Sequence, residues 1–344
     1  MGSNFNSIEY KKKFYSIGDD LLGYLKKYRK TTKLPVTYSD MLNYDDSIQL
    51  HRNGKNTLWH SVIYRPADME EISKNLIELY QMINGNVLQM NHLYVGSIDY
   101  CSYGNSKPFR VKIVNEINDN HDYLYIKNSD ASRVYGLELE GIFSPNKINY
   151  LIDEKTIVEE HIIGIPGDQF IAEYTEKGES NDIVRLAKEF VKFNERCFVR
   201  LLGDMRSYNY VVVVIKDFDK IQYRIRAMDF DQQSYEGRKN IYLPQFYKDN
   251  KFFVEQVQNK ISKKTADQYM NEERGVMRKR LFNEKSKFMD LIEVMRNDQV
   301  SVKAHIDQLK TELAVYYGDA NFNRAKSMAD ILYLNITNRL EVEL

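Results

Sequence analysis

Three oxygen-bearing side chains lie close together in the stretch of residues 200–236. Asp204 and Asn209 stand five positions apart with Gly203 before them, and Asp229 follows the second of two strand-like segments. Two carboxylates and a carboxamide suit Mg²⁺ and phosphate, because hard cations take oxygen ligands and keep part of their water shell. The residue types therefore indicate a magnesium and phosphate site.

A hairpin is the element that must position these side chains. A β-branched run at 211–215 is followed by a polar turn at 216–220 and a second strand-like run at 221–228, which ends on Asp229-Phe230-Asp231. An antiparallel pair brings the start of its first strand to the end of its second. An ordinary hairpin without a binding site is the alternative, because turns favour Asp and Asn and these residues would then have no further role.

The order of these residues resembles the catalytic core of the protein-kinase-like superfamily. Its members share a loop of Asp, four residues and Asn, followed by a hairpin and a metal-binding Asp. The stretch from Gly203-Asp204 to Asn209 is most similar to the aminoglycoside phosphotransferase and choline kinase branch, where the loop begins His-Gly-Asp. Leu202 stands where that branch has His, and the interval from Asn209 to Asp229 is longer than usual.

The resemblance implies a phosphotransferase that depends on ATP and Mg²⁺. In this interpretation Asp204 orients or deprotonates an acceptor hydroxyl, while Asn209 and Asp229 hold Mg²⁺. Arg206 offsets charge on the transferred phosphoryl group, and Asp231 is a second metal ligand or a supporting residue. The phosphate acceptor stays open, as a small molecule or a protein.

A strand lysine before a helix with glutamates extends the resemblance. Lys127 ends the strand-like sequence Tyr-Leu-Tyr-Ile-Lys, and the helix expected at 131–142 carries Glu138 and Glu140. The superfamily uses such a lysine on the α- and β-phosphates and pairs it with a helix glutamate, for which we favour Glu138. The alternative is that both glutamates are solvated, the commoner state of a helix Glu.

The strand expected at 156–162 resembles the hinge of the same branch, because a Gly-x-Pro turn follows it. Backbone groups of Glu160, His161 and Ile162 are then expected to bind the edge of adenine. His161 by itself is more typical of a partly exposed strand residue. The loop at 102–108 lies where the resemblance covers phosphates, although an exposed hairpin loop explains it equally well.

These patterns together predict an α+β, bilobal protein-kinase-like fold. An antiparallel N-lobe sheet with one helix is expected at 91–162 and a mostly helical C-lobe at 163–344. A helical N-terminal extension is expected at 1–90, because 17–28 and 68–83 carry apolar residues at three-and-four spacing. The amphipathic helix at 181–201 leads directly into the Asp204 loop.

Composition excludes several classes of protein. The 344-residue chain has 49 Lys plus Arg and 49 Asp plus Glu, so a nucleic-acid partner is not expected. The longest apolar stretch is too short to cross a membrane, and no membrane partner is expected. The 2 cysteines form no disulfide framework, which together with the absence of a signal-peptide pattern favours a cytoplasmic protein.

Two further functions fit the same fold. Leu202 and the loop at 102–108, which has one glycine, are features of a catalytically inactive nucleotide-binding pseudokinase or scaffold. A kinase-fold enzyme that transfers AMP is the other, because the same side chains bind the metal in either pose. Fold alone does not choose among them.

Overall fold

A computed structural model describes residues 12–52, 54–85, 92–103, 105–177, 183–217 and 220–344. Across these ranges the chain is an α+β protein with a mostly antiparallel sheet and 11 α-helices, about 52% helical. It divides into two compact units. Unit 1 comprises the described residues up to Asp130 together with Asn149–His161, and unit 2 comprises Ala131–Ile148 and Ile162–Leu344. The coarse α+β prediction is confirmed, and the kinase-like character of the two units stays a prediction.

Unit 1 is built on a seven-stranded sheet. Its strands are β1 (Asp46–Arg52), β2 (Lys55–Ile63), β3 (Leu93–Cys101), β4 (Phe109–Asn115), β5 (His121–Asn128), β6 (Tyr150–Asp153) and β7 (Thr156–Glu160). The spatial order is β1-β2-β3-β4-β5-β7-β6, and each neighbouring pair is antiparallel. The antiparallel sheet predicted at 91–162 corresponds to β3 to β7, including the strand that carries Lys127 and the strand expected at 156–162.

Two helices of unit 1 share a hydrophobic core with this sheet. Unit 1 contains α1 (Asp19–Lys27), α2 (Tyr38–Met41) and α3 (Pro66–Ile83), and α1 and α3 match the predicted N-terminal helices. Proline suits the first position of α3, where the backbone lacks a helical acceptor. The apolar stripe of α3 buries Leu76 and Leu79, and each such side chain contributes about 1.5–3 kcal/mol. Periodicity thus located both helices.

The prediction that residues 1–90 are helical is wrong for 46–52 and 55–63, which form β1 and β2. Several apolar side chains of this hairpin are exposed, with Ile48 59% and Leu58 55% exposed, while Val62 is buried in the core. Strands with few buried apolar side chains give only a weak form of the pattern by which strands are predicted. The available signal was the turn, since Arg52 pairs with Lys55 and Gly54 has a left-handed φ of 73°.

Unit 2 is mainly helical. Its helices are α4 (Ala131–Phe143), α5 (Gly167–Lys177), α6 (Ile183–Arg200), α7 (Lys251–Lys260), α8 (Lys263–Asn283), α9 (Lys285–Asn297), α10 (Lys303–Tyr317) and α11 (Met328–Leu340). A small antiparallel sheet has the order β10-β9-β8, with β8 at Ile165–Pro166, β9 at Tyr210–Asp217 and β10 at Lys220–Ala227. The predicted 211–228 hairpin is β9 and β10.

Helix α4 packs deep inside unit 2. Twelve of its residues are buried, with Gly141 as the exception. Gly136 permits a close approach, since a Cβ there would lie 2.8 Å from the Cβ of Phe230. This contact brings α4 against the segment that follows β10.

None of the helices in the described ranges combines the length and apolar character needed to cross a membrane.

Candidate functional site

The loop between α6 and β9 is fixed against the chain that follows β10. Leu202 forms an isolated antiparallel bridge with Gln233, and the amide of Gly203 donates to the carbonyl of Gln232 at 3.3 Å. Leu201 and Asp204 have positive φ values of 52° and 55°, in the left-handed region. The loop therefore turns twice in a short distance and keeps the Asp204 backbone beside the 229–234 segment.

Asn209 and Asp229 are joined through their backbones. The carbonyl of Asn209 accepts from the amides of Met228 at 3.0 Å and Asp229 at 3.3 Å. The register pairs Tyr210 with Ala227, so the hairpin brings the two candidate residues to one end. The predicted proximity of Asn209 and Asp229 is confirmed, while their role as metal ligands stays a prediction.

The carboxamide of Asn209 also holds Asp204. Its Nδ2 donates to the Asp204 carbonyl at 2.7 Å and lies 3.5 Å from Asp204 Oδ2. The amide of Asp204 donates to the hydroxyl of Tyr247 at 3.0 Å, and that hydroxyl donates to the carbonyl of Ile241 at 2.9 Å. Burial raises the pKa of Tyr247 well above its usual range. The Tyr247 hydroxyl therefore stays protonated, so Asn209 and Tyr247 contact Asp204 as neutral hydrogen-bonding groups.

Arg206 lies between two carboxylates. Its Nε donates to Asp204 Oδ1 at 3.0 Å and its Nη1 to Asp249 Oδ2 at 3.1 Å. Its guanidinium also lies 5.2 Å from the centre of the Tyr247 ring, within cation–π range. Arg206 thus contacts Asp204 directly, and its action on a phosphoryl group stays a prediction.

Arg133 is a participant that the sequence interpretation missed. From the first turn of α4, its Nη1 donates to Asp229 Oδ1 at 3.2 Å and to Asp231 Oδ1 at 3.0 Å. Its Nη2 donates to the carbonyl of Met228 at 3.3 Å. The side chains of Arg133 and Asp231 are 2% and 8% exposed, whereas that of Asp229 is 36% exposed. The available signal was that Arg133 is the one basic residue of a largely apolar helix.

The oxygen donors of Asn209 and Asp229 fit Mg²⁺. Mg²⁺ is commonly held by one or two carboxylates together with substrate phosphates and water. Asp231 fits less well, because its carboxylate is buried and already bound to a guanidinium. Within the described ranges, no group of three or more His, Cys, Asp or Glu residues is arranged to hold a metal ion.

Lys127 lies in unit 1 and forms a buried ion pair with Glu159. The distance from Nζ to Oε2 is 2.9 Å, across the neighbouring strands β5 and β7. The ring of Tyr125 has its centre 5.5 Å from the same ammonium. The expected contact of Lys127 with phosphates and its pairing with Glu138 stay predictions.

Both helix glutamates have cationic partners within unit 2. Glu138 binds Lys287 at 2.7 Å, and Glu140 forms a short ion pair with Arg200. The side chains of Glu138 and Glu140 are 2% and 4% exposed. The alternative that both glutamates are solvated is therefore wrong. These two charged side chains of α4 can be buried because Arg200 of α6 and Lys287 of α9 are their counter-ions.

The residues predicted to form a hinge are a strand end with specific side-chain contacts. Glu160 ends β7 and accepts through Oε1 and Oε2 from the amide and the carboxamide of Asn149, both at 2.9 Å. The His161 ring stacks on Tyr125 with centres 5.9 Å apart, and burial lowers its pKa. Ile162 is buried and begins the second segment of unit 2. Adenine binding by these three backbones stays a prediction.

Comparison with known proteins supplies no assignment, since no family model matches the chain and no curated protein matches it.

Proposed function

We propose that the chain is a phosphotransferase that uses ATP and Mg²⁺ to phosphorylate a hydroxyl group. One observation carries the proposal: a single residue, Asn209, is hydrogen-bonded to both Asp204 and Asp229. Asn209 donates to Asp204 through its side chain and accepts from Asp229 through its backbone. A loop carboxylate, a carboxamide and a hairpin carboxylate held in this order suit the positioning of a hydroxyl group beside a metal-bound phosphate.

The chain's own residues act mainly by holding and orienting. Asp204 accepts the proton of the acceptor hydroxyl, and Arg206 and Asn209 keep its carboxylate in place. Asn209 and Asp229 would hold Mg²⁺, which when bound with ATP neutralises charge on the phosphates. Arg206 is 38% exposed and close enough to Asp204 to reach a phosphoryl group presented to that carboxylate. Positioning and charge stabilisation supply most of the rate in this chemistry.

A binding-only function is the second candidate, favoured by a contact of Arg206 and by the residue at position 202. Arg206 already donates to Oδ1 of Asp204, so that oxygen is occupied and not open to the proton of an acceptor hydroxyl. A protein that only binds nucleotide does not need Asp204 to accept a proton, so the contact with Arg206 is compatible with its function. Leu202, buried at the position where the similar branch has His, favours the same interpretation.

The experiment that separates the two candidates compares wild type with Asp204→Asn and Asp204→Ala. An enzyme is expected to lose about 10² to 10⁴ in turnover in both variants, because the base is gone. Mg-ATP is expected to keep raising the melting temperature, because Asn209 and Asp229 remain. Asn tolerates the left-handed backbone of Asp204 better than Ala does, so Asp204→Asn controls for strain.

ATP turnover is measured with sugars, amino alcohols and protein hydroxyls as acceptors, and products are identified by mass. If wild type turns over no faster than Asp204→Asn with every acceptor, while Mg-ATP stabilises both, the binding-only candidate is correct. If Mg-ATP stabilises neither protein, both candidates are wrong. A product that carries AMP in place of phosphate would redirect the assignment to nucleotidyl transfer.

A further inference from the structure

Arg133 and Asp231 are charged groups that compensate each other inside unit 2. Taking an ion out of water costs several kcal/mol unless a partner with good geometry offsets it. Arg133 Nη1 and Asp231 Oδ1 are 3.0 Å apart, and both side chains are less than one-tenth exposed. The ion pair is expected to stay formed in the folded protein, because separating the two side chains would create a buried charge without a counter-ion.

Asp229 is attached to this pair through one of its two carboxylate oxygens. Its Oδ1 accepts from Arg133 Nη1 at 3.2 Å and from the amide of Asp231 at 3.0 Å. Two donors on one oxygen fix the rotation of a carboxylate, and with it the direction of the other oxygen. Asp229 is also the more exposed of the two aspartates, so it is the one that can meet a ligand from solvent.

We propose that Arg133 and Asp231 form a standing ion pair that orients Asp229 towards a divalent cation, and that Asp231 is not a ligand of that cation. This rests on the proposed function, because the cation is the Mg²⁺ that accompanies the nucleotide. Asp231 is thereby reassigned from metal ligand to counter-ion of Arg133. Arg133 becomes a positioning residue that acts through Asp229.

Arg133 could act on the cation site through its charge or by orienting Asp229, and these two actions predict opposite changes in cation affinity when Arg133 is replaced. A guanidinium beside a cation site repels the cation, so a purely electrostatic action means that removing it raises cation affinity. An orienting action means that removing it lowers the affinity, because Asp229 then turns freely. Replacing groups that orient a metal ligand typically lowers metal affinity about 10- to 100-fold. The sign of the change therefore separates the two actions.

The test measures Mn²⁺ binding by the full-length chain in the presence of a non-hydrolysable ATP analogue, using the electron-paramagnetic-resonance signal of free Mn²⁺. Arg133→Gln and Asp231→Asn are expected to weaken Mn²⁺ binding about 10- to 100-fold. Asp229→Asn is expected to weaken it further. An Asp231→Asn loss as large as that of Asp229→Asn means that Asp231 is a ligand and overturns the inference, as does a gain of affinity in Arg133→Gln.

Arg196 offers a matched control in the same unit. Its guanidinium also bridges two carboxylates, with Nη2 2.7 Å from Glu189 and Nη1 3.1 Å from Glu273, and its side chain is 7% exposed. Arg196→Gln is expected to lower the melting temperature about as much as Arg133→Gln and to leave Mn²⁺ affinity unchanged. An equal loss of affinity in both variants would assign the effect to general destabilisation and overturn the inference.

A failure of the proposed function has a different signature. If wild type binds no Mn²⁺ with the analogue, the cation function is wrong, and the orienting role is overturned with it. If wild type binds Mn²⁺ but the Mn²⁺ affinities of the variants do not follow the order given above, only the orienting role of Arg133 and Asp231 is wrong. The ion pair itself is judged in chelator, where Arg133→Gln and Asp231→Asn together should lower the melting temperature by less than the sum of the single changes.

Discussion

Lys127 and Glu159 form an ion pair across β5 and β7, with Nζ 2.9 Å from Oε2 and both side chains less than one-tenth exposed. The register places Lys127 opposite Ile157, so Glu159 is its diagonal neighbour on the same face of the sheet. Within unit 1, the position of this lysine is therefore set by a neighbouring strand. A substitution of Lys127 affects both this pair and any ligand that the lysine binds.

Lys127→Met is expected to lower affinity for ATP more than for adenosine, because only ATP carries phosphates. Removing one partner of a buried pair also destabilises the fold by about 3–5 kcal/mol. The double variant Lys127→Met with Glu159→Gln is the control, since it removes both charges and should recover stability without recovering ATP affinity. Calorimetric titrations with both ligands make the comparison. Equal losses for ATP and adenosine, or no loss in the double variant, would leave Lys127 a structural residue.

Asp229→Asn is expected to weaken nucleotide binding in Mg²⁺ and to change it little in chelator. The physical reason is that the amide lacks the charge that attracts the cation, while Arg133 keeps Asp231 as a partner and the fold survives. Calorimetry with ATP in both conditions measures the difference. Asp249→Asn is the control, because Asp249 contacts Arg206 and is not a proposed metal residue. Unchanged Mg-ATP affinity in Asp229→Asn would remove the main support for a metal site.

Glu140→Gln is expected to destabilise the protein more than Glu138→Gln. Arg200, the partner of Glu140, is 2% exposed, and breaking such a pair costs about 3–5 kcal/mol. Lys287, the partner of Glu138, is 17% exposed and can turn its ammonium towards water. Urea unfolding of the two variants gives the ranking. The opposite order would mean that the ion pair of α4 with α9 matters more than that with α6.

Stability is expected to fall as pH drops below about 6.5, partly through His161. Burial lowers the pKa of the folded imidazole, and the nearby Asp122 carboxylate opposes this to a smaller extent. The unfolded chain then binds more protons in this range, so lowering the pH favours unfolding, while above 6.5 the contribution vanishes. Thermal melts between pH 5 and pH 8 span this window. The melting temperature should depend less on pH in His161→Gln than in wild type, and it should keep the wild-type dependence in His51→Gln, an exposed control. An NMR titration with the His161 pKa above 6.5 would contradict the prediction.

Local patterns account for what the sequence could predict. The helices α3 and α6 were found because their apolar residues recur at helical spacing and face a core. The proximity of Asn209 and Asp229 was found because an antiparallel hairpin joins the start of one strand to the end of the next. Both inferences need only neighbours in sequence.

The buried ion pairs between residues far apart in the chain could not be predicted from the sequence. Arg133 and Asp231 are far apart in the chain, and nothing in the letters around either residue indicates that they meet. The same holds for Glu140 and Arg200, which a periodicity argument treats as unrelated charges. Buried ion pairs are chosen by tertiary packing, so they become visible only when the packing is known.

The burial of α4 has a consequence for synthesis of the protein. Residues 138–143 of this helix are covered from far downstream, by Lys287 on Glu138 and by Phe288 on Phe143 with ring centres 5.7 Å apart. Ribosomes add about 5–20 residues per second, so α4 leaves the exit tunnel on the order of ten seconds before α9. During that interval residues 138–143 lack the side chains that cover them in the folded protein, so unit 2 can be completed only after α9 has been synthesised.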